Sequence, residues 1–142
     1  MDEQTYKDLA VAEQSLQVEH RTLVFVDQEK VFSAYSTHPV EALFKDNEYI
    51  RDCVIGICFL GKASALLCAY GKARAVYCQQ ATKTALAVLL RAGIPCQTDK
   101  MIPKLSLSSE LYDSYEQQVD YVDEPESWFA QLQKTKHLIQ KQ

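Results

Sequence analysis

CVIGICFLGKASALLCAYGKARAVYC, residues 53–78, is the stretch that decides the fold. Cys53–Leu60 is an unbroken apolar run, the pattern of a strand covered on both faces. Gly61–Tyr70 reads as a helix that is apolar almost all round, so it is expected to be largely buried. Arg74–Cys78 reads as the next strand. A strand, a helix and a strand in that order make a crossover unit, which sets two parallel neighbours in one sheet.

The flanks extend this unit. Upstream, residues 2–18 carry Tyr6, Leu9, Ala12 and Leu16 at helical spacing, an amphipathic helix with a face to dock. Thr22–Val26 and Val31–Ser36 read as two strands joined by the polar turn Asp27-Gln28-Glu29-Lys30. His38-Pro39 opens the next helix, where proline's fixed φ suits the first turn; Val40, Leu43, Phe44 and Ile50 are its buried stripe. Downstream, Ala81–Ala92 is a helix closed by Gly93, and Pro95–Met101 is a short strand near a sheet edge. An opening hairpin followed by alternating helices and strands predicts an α/β domain with a mixed, mostly parallel sheet.

A chain of 142 residues is expected to form one domain, 1–142, and to bury roughly 68–70% of its unfolded surface without a metal or disulfide staple. Hydrophobic residues at 47% and charged residues at 24% are those of a soluble globular protein. With a net charge of −4 and no basic run to follow a phosphate backbone, nucleic-acid binding is not expected. Cys53, Cys58, Cys68, Cys78 and Cys96 include no C-x-x-C pair and sit mostly in apolar runs, the usage of reduced thiols and of a cytoplasmic address. The charges scattered over the first thirty residues leave no signal-peptide core, and no apolar run is long enough for a membrane span.

Gly56 to Lys62 is close to the phosphate-binding pattern G-x-x-x-x-G-K-[ST]. It fails on two counts. The middle residues Ile57, Cys58, Phe59 and Leu60 are bulky and belong to a buried strand, and Ala63 stands where a hydroxyl would hold Mg²⁺. A strand that ends at Gly61 where a helix begins still gathers free backbone N–H groups, a place that favours an anion by about 0.3–1 kcal/mol. Lys62 and Ser64 stand beside it; the alternative is that Gly61 serves only close packing and Lys62 is solvated.

Cys78, at the end of its strand, is a thiol candidate for nucleophilic chemistry, or a buried strand cysteine. His38-Pro39-Val40-Glu41 has H-x-x-E spacing and Pro95-Cys96-Gln97-Thr98-Asp99 is a broken P-C-x-x-C, so neither has the zinc-deaminase pattern. His20 and His137 stand apart from both. Residues 105–142 are an acidic, helical segment: Leu105–Gln133 holds seven acidic residues and no basic one, interleaved with Tyr112, Tyr115 and Tyr121. Asp123-Glu124-Pro125-Glu126 opens its last helix, with Trp128, Phe129, Leu132 and Ile139 on the apolar side. Such a segment is either a solvated face or a surface for a cationic partner.

Taken together, the hairpin, the apolar strand running into GKAS, the strand–helix unit ending LLRAGI and the tail VDEPESWFAQL resemble a small bacterial family of unknown function with a cytidine-deaminase-like fold and no deaminase zinc motif. The resemblance runs from about Leu9 to Leu132 and implies a three-layer α/β/α sandwich around a five-stranded sheet. In active deaminases the two helix starts equivalent to Gly61-Lys62-Ala63-Ser64 and Cys78-Gln79-Gln80-Ala81-Thr82 supply zinc ligands and a catalytic glutamate; here no carboxylate is present at either. Relatives carry an Asp-Lys pair where this chain has Ile57-Cys58, and an Asn-Arg and a Cys-Pro-Met-Glu in the tail, of which Asp113-Ser114-Tyr115-Glu116 keeps only the Glu.

The expectation is a non-catalytic protein, without metal or other cofactor, that binds a small anionic or nucleotide-like ligand through Gly61, Lys62, Ser64, Gln79, Gln80 and Thr82. Two other readings stay open: an enzyme of unrecognised type using Cys78, and an interaction module acting through the acidic tyrosine-bearing segment. A homodimer is expected by analogy of fold alone.

Overall fold

The structure, a computed structural model, describes residues 2–103 and 114–141, with side chains as far as Thr135 in the last helix. Tyr112, Asp113 and the side chains of His137 and Ile139 lie outside the described residues.

Helix α1 (Glu3–Glu19) starts on Asp2, whose carboxylate accepts from Thr5 N–H at 2.8 Å. Its inward face is Thr5, Asp8, Leu9, Ala12, Ser15 and Leu16. Tyr6, expected in the apolar stripe, is exposed instead, because the face is rotated to carry Asp8 inward. Strands β1 (Leu23–Asp27) and β2 (Lys30–Tyr35) form the hairpin. Gln28 and Glu29, at its tip, both have left-handed φ, the geometry a two-residue hairpin turn needs and usually obtains from glycine or asparagine. The buried Asp8 carboxylate compensates, accepting from Gln28 N–H at 3.2 Å and Glu29 N–H at 2.6 Å. The Arg74 guanidinium closes the cluster by donating to Asp8, with Asp27 at 3.8 Å.

Helix α2 (Pro39–Lys45) begins as the sequence suggests, with His38 Nδ1 accepting from Val40 N–H at 3.2 Å. A 3-10 turn at Asn47–Tyr49 then leads to the buried Ile50. The rest follows as β3 (Val54–Leu60), α3 (Lys62–Gly71), β4 (Ala75–Thr82), α4 (Lys83–Arg91), β5 (Cys96–Ile102), α5 (Ser114–Gln118) and α6 (Pro125–Lys141). Gly93, at φ +74°, takes the left-handed position just beyond α4.

The sheet order is β2-β1-β3-β4-β5. β1 is antiparallel to both β2 and β3, while β3–β4 and β4–β5 are parallel. The expected mostly parallel sheet is therefore corrected to an evenly mixed one. Crossover helices fix only the β3–β4–β5 half as parallel. The segment through α2 returns β3 beside β1 on the side away from β2, and there it runs antiparallel.

Two cores flank the sheet. On one face, among the described residues, α1 packs Leu9, Ala12 and Leu16 on Val24, Val26, Val54, Ala75 and Tyr77. Gly56 lets α1 approach: a Cβ there would lie 2.7 Å from Val24 Cγ2 and 2.9 Å from Ala12 Cβ. On the other face α2, α3, α4 and α6 pack around Phe25, Ile55, Ile57, Val76 and Cys78. Helix α3 is enclosed, as its sequence predicts, with residues from Ala63 to Cys68 buried. Helix α6 covers it, burying Trp128 completely and stacking Phe129 on Tyr70 at 4.1 Å between centroids. Among the described residues, no helix is long and apolar enough to cross a membrane.

Candidate functional site

β3 and β4 end side by side, Leu60 opposite Ala81, so the starts of α3 and α4 are neighbours, as expected. In both strands the inward set changes phase near the end: Ile57 is followed by Leu60, and Cys78 by Ala81. Gln79 and Gln80 were expected to lead into a helix. They instead remain in β4 and are half-buried, because Gln80 pairs with both Phe59 and Lys100. Thr82, expected as a ligand hydroxyl, is the N-cap of α4: its Oγ1 accepts from Ala85 N–H at 3.2 Å and lies 3.1 Å from Thr84 Oγ1.

At the other helix start, Gly61 is the N-cap of α3 and has no side chain to satisfy the first-turn donors. Glu116, on α5, supplies what is missing. Its carboxylate accepts from Ala63 N–H at 3.2 Å to Oε1 and 3.4 Å to Oε2, and is buried there. The fit is close enough that a Cβ on Gly61 would sit 2.2 Å from Glu116 Oε1. A negative carboxylate at the positive end of α3 is the arrangement its dipole favours. Lys62 Nζ meets Asp123 Oδ1 at 2.9 Å; the lysine is mostly covered and the aspartate exposed. Lys62 lowers the Asp123 pKa, first by hydrogen bonding and then by charge. Ser64 is buried in the first turn of α3. Trp128 Nε1–H donates to Ala63 O at 3.1 Å and pins α6 to the same turn.

The anion position read from the sequence is thus filled by the chain's own carboxylate. Sequence reasoning did not select Glu116 as a site residue. The available signal was its survival as the one matching residue of the tail element. Tyr115, its neighbour, donates to Glu41 Oε1 at 2.8 Å and lies against the His38 ring at 5.0 Å, so α5 ties α2 to α3.

Cys78 is fully buried, with Sγ 3.7 Å from Cys96 Sγ. A sulfhydryl hydrogen bond from Cys96 pulls the Cys78 thiol down, and the same contact pushes Cys96 up. Burial raises Cys53 to about 11 and Cys68 to about 12. Among the described residues, no group of three or more His, Cys, Asp or Glu side chains is placed to hold a metal ion.

The profile of the TM1506 family, a domain of unknown function (DUF1893), matches residues 11–135. The chain belongs to this family. The crystal structure of a DUF1893 family protein, TM1506, from Thermotoga maritima superposes with a TM-score of 0.78 at 18% identity, over 95% of this chain and 92% of that one. At that identity the superposition shows the shared fold. No curated protein matches the chain. The DUF1893 fold seen here is α/β with a five-stranded mixed sheet, and deaminase kinship is no part of these matches.

Proposed function

We propose that this DUF1893 protein is a non-catalytic binding module of cytidine-deaminase-like fold. Its site is the start of α3, held closed by Glu116, and its ligand is a small anionic or nucleotide-like molecule whose carboxylate or phosphate takes the place of the Glu116 carboxylate. The observation that supports the reading is the Glu116–Ala63 contact itself: this helix start already holds an anionic oxygen, over a glycine that leaves room for it. Lys62 adds a cation whose present partner, Asp123, is exposed and free to turn into solvent. Ser64 lies in the same turn. Gln79 and Gln80 near the end of β4, and Thr82 at the α4 cap, are the further ligand contacts of this reading, on the strand next to the end of β3.

Because the internal carboxylate competes, the ligand's apparent affinity is its intrinsic affinity multiplied by the fraction of molecules in which Glu116 has left. The other two readings have less behind them. Cys78 is fully buried, too deep for an organic substrate to meet its sulfur. The acidic segment spends Glu116, Val119, Trp128, Phe129 and Leu132 on this chain's own core.

Thermal-shift titrations with phosphate, citrate and nucleoside monophosphates, at fixed ionic strength, test the reading. Glu116→Gln is expected to respond more strongly than wild type, gaining about 2.7 kcal/mol at a ligand concentration 100 times the dissociation constant. Adding Lys62→Ala should remove much of that gain. If Glu116→Gln responds no more than wild type to any of these anions, the reading fails.

A further inference from the structure

We propose that Cys78 and Cys96 form a two-thiolate clamp for a soft monovalent cation of the copper(I) class. The two sulfurs are 3.7 Å apart, on adjacent parallel strands. Register decides what such a pair is suited to. Cys96 pairs with Val76 and Cys78 with Thr98, so the two cysteines are diagonal neighbours. A rise of about 3.3 Å per residue and a strand spacing of about 4.8 Å put such diagonal α-carbons about 8 Å apart in a parallel pair. A disulfide does not span more than about 7 Å without backbone movement. The start of β5 is pinned against such movement, since Val76 N–H donates to Pro95 O at 3.0 Å.

A bridging atom suits the spacing better than a direct bond. Two metal–thiolate bonds of about 2.3 Å, the zinc value, span about 3.8 Å at a tetrahedral angle and about 4.6 Å when linear. The observed 3.7 Å lies at the bent end of that range. With no third ligand among the described residues, the pair suits an ion content with two soft donors; thiolates favour copper(I), zinc and iron–sulfur clusters, and zinc and the clusters need more ligands than two. Entry is from the sheet edge: Cys96 is the half-buried first residue of β5, and Cys78 lies covered behind it.

The step balances without a redox partner. Two thiols and one copper(I) ion give a bis-thiolate complex of net charge −1 and two protons released to solvent.

Fully reduced protein, titrated anaerobically against copper(I) held by bicinchoninate, is expected to withdraw one ion per chain and to gain thermal stability as it does so. Cys96→Ser, a half-exposed position at a strand start, should fold normally and fail to compete at the same chelator concentration. Cys58→Ser should compete like wild type. Three results would overturn the proposal: no withdrawal by wild type, equal withdrawal by Cys96→Ser, or equal failure of Cys58→Ser. Ready formation of a Cys78–Cys96 disulfide with diamide in the still-folded protein would also overturn it, by assigning the pair to thiol oxidation.

Discussion

The Glu116 carboxylate lies 3.2 Å from Ala63 N and directly over the α-carbon of Gly61, so the helix start and the carboxylate that caps it share one small space. A side chain on Gly61 and the carboxylate of Glu116 exclude each other. Gly61→Ala is therefore expected to cost about what Glu116→Ala costs, roughly 1–3 kcal/mol for a buried donor left without its acceptor. The double variant should be little worse than either single one. Urea unfolding of the four proteins in a double-mutant cycle checks this, and simple additivity would show the two residues to be independent.

Gly56→Ala meets a harder obstacle. The atoms it would strike, Val24 Cγ2 and Ala12 Cβ, belong to short side chains fixed to the sheet and to α1. Expected destabilisation is about 1–3 kcal/mol, the ordinary cost of overpacking. Ala12→Gly in the same chain should recover part of it, read as a shift in the unfolding midpoint at constant slope.

Asp8→Ala removes the acceptor for Gln28 and Glu29 N–H groups and the partner of Arg74 at once. The expected loss is about 3 kcal/mol, the low end for a broken buried pair, since Arg74 keeps partial solvent access and Asp27. Asp8→Asn, which retains one acceptor oxygen, should lose less. Chemical denaturation of both variants measures the difference, and equal losses would put the whole effect in the charge.

The Lys62–Asp123 pair carries a pH signature. Asp123 is held below the ordinary 3.8, so its contribution to stability is present above that value and is lost as pH falls through the lower folded value. Carboxyl chemical shifts followed by NMR should give Asp123 a midpoint below 3.8 in wild type and one returned toward it in Lys62→Met. Because the carboxylate is exposed, added salt should narrow the gap. Identical midpoints in both proteins would remove the pair from the account.

The β3–α3–β4 unit was legible because apolar content and chain punctuation agree there. Val54–Leu60 is continuous, Gly61 stops it, and the next helix is too apolar to lie anywhere but inside. Gln79 and Gln80 misled because amides commonly signal the end of a strand; pairing with strands on both sides carried β4 through them. The orientation of β1 against β3 was not legible, since a strand's residues record which faces are covered and not which way its neighbour runs. Glu116 was hidden by distance. It reaches Ala63 from 53 positions along the chain, and a lone glutamate in an acidic segment has nothing local to mark it as buried.

The Trp128–Ala63 bond has a consequence for how the molecule is made. Its two ends are 65 residues apart. At ordinary translation rates of about 5–20 residues per second, the ribosome releases the α3 turn roughly 3–13 s before the tryptophan that covers it. Throughout that interval one side of a nearly all-apolar helix faces solvent or a chaperone. Slow codons between the two would lengthen the exposure, and aggregation during synthesis should rise with it.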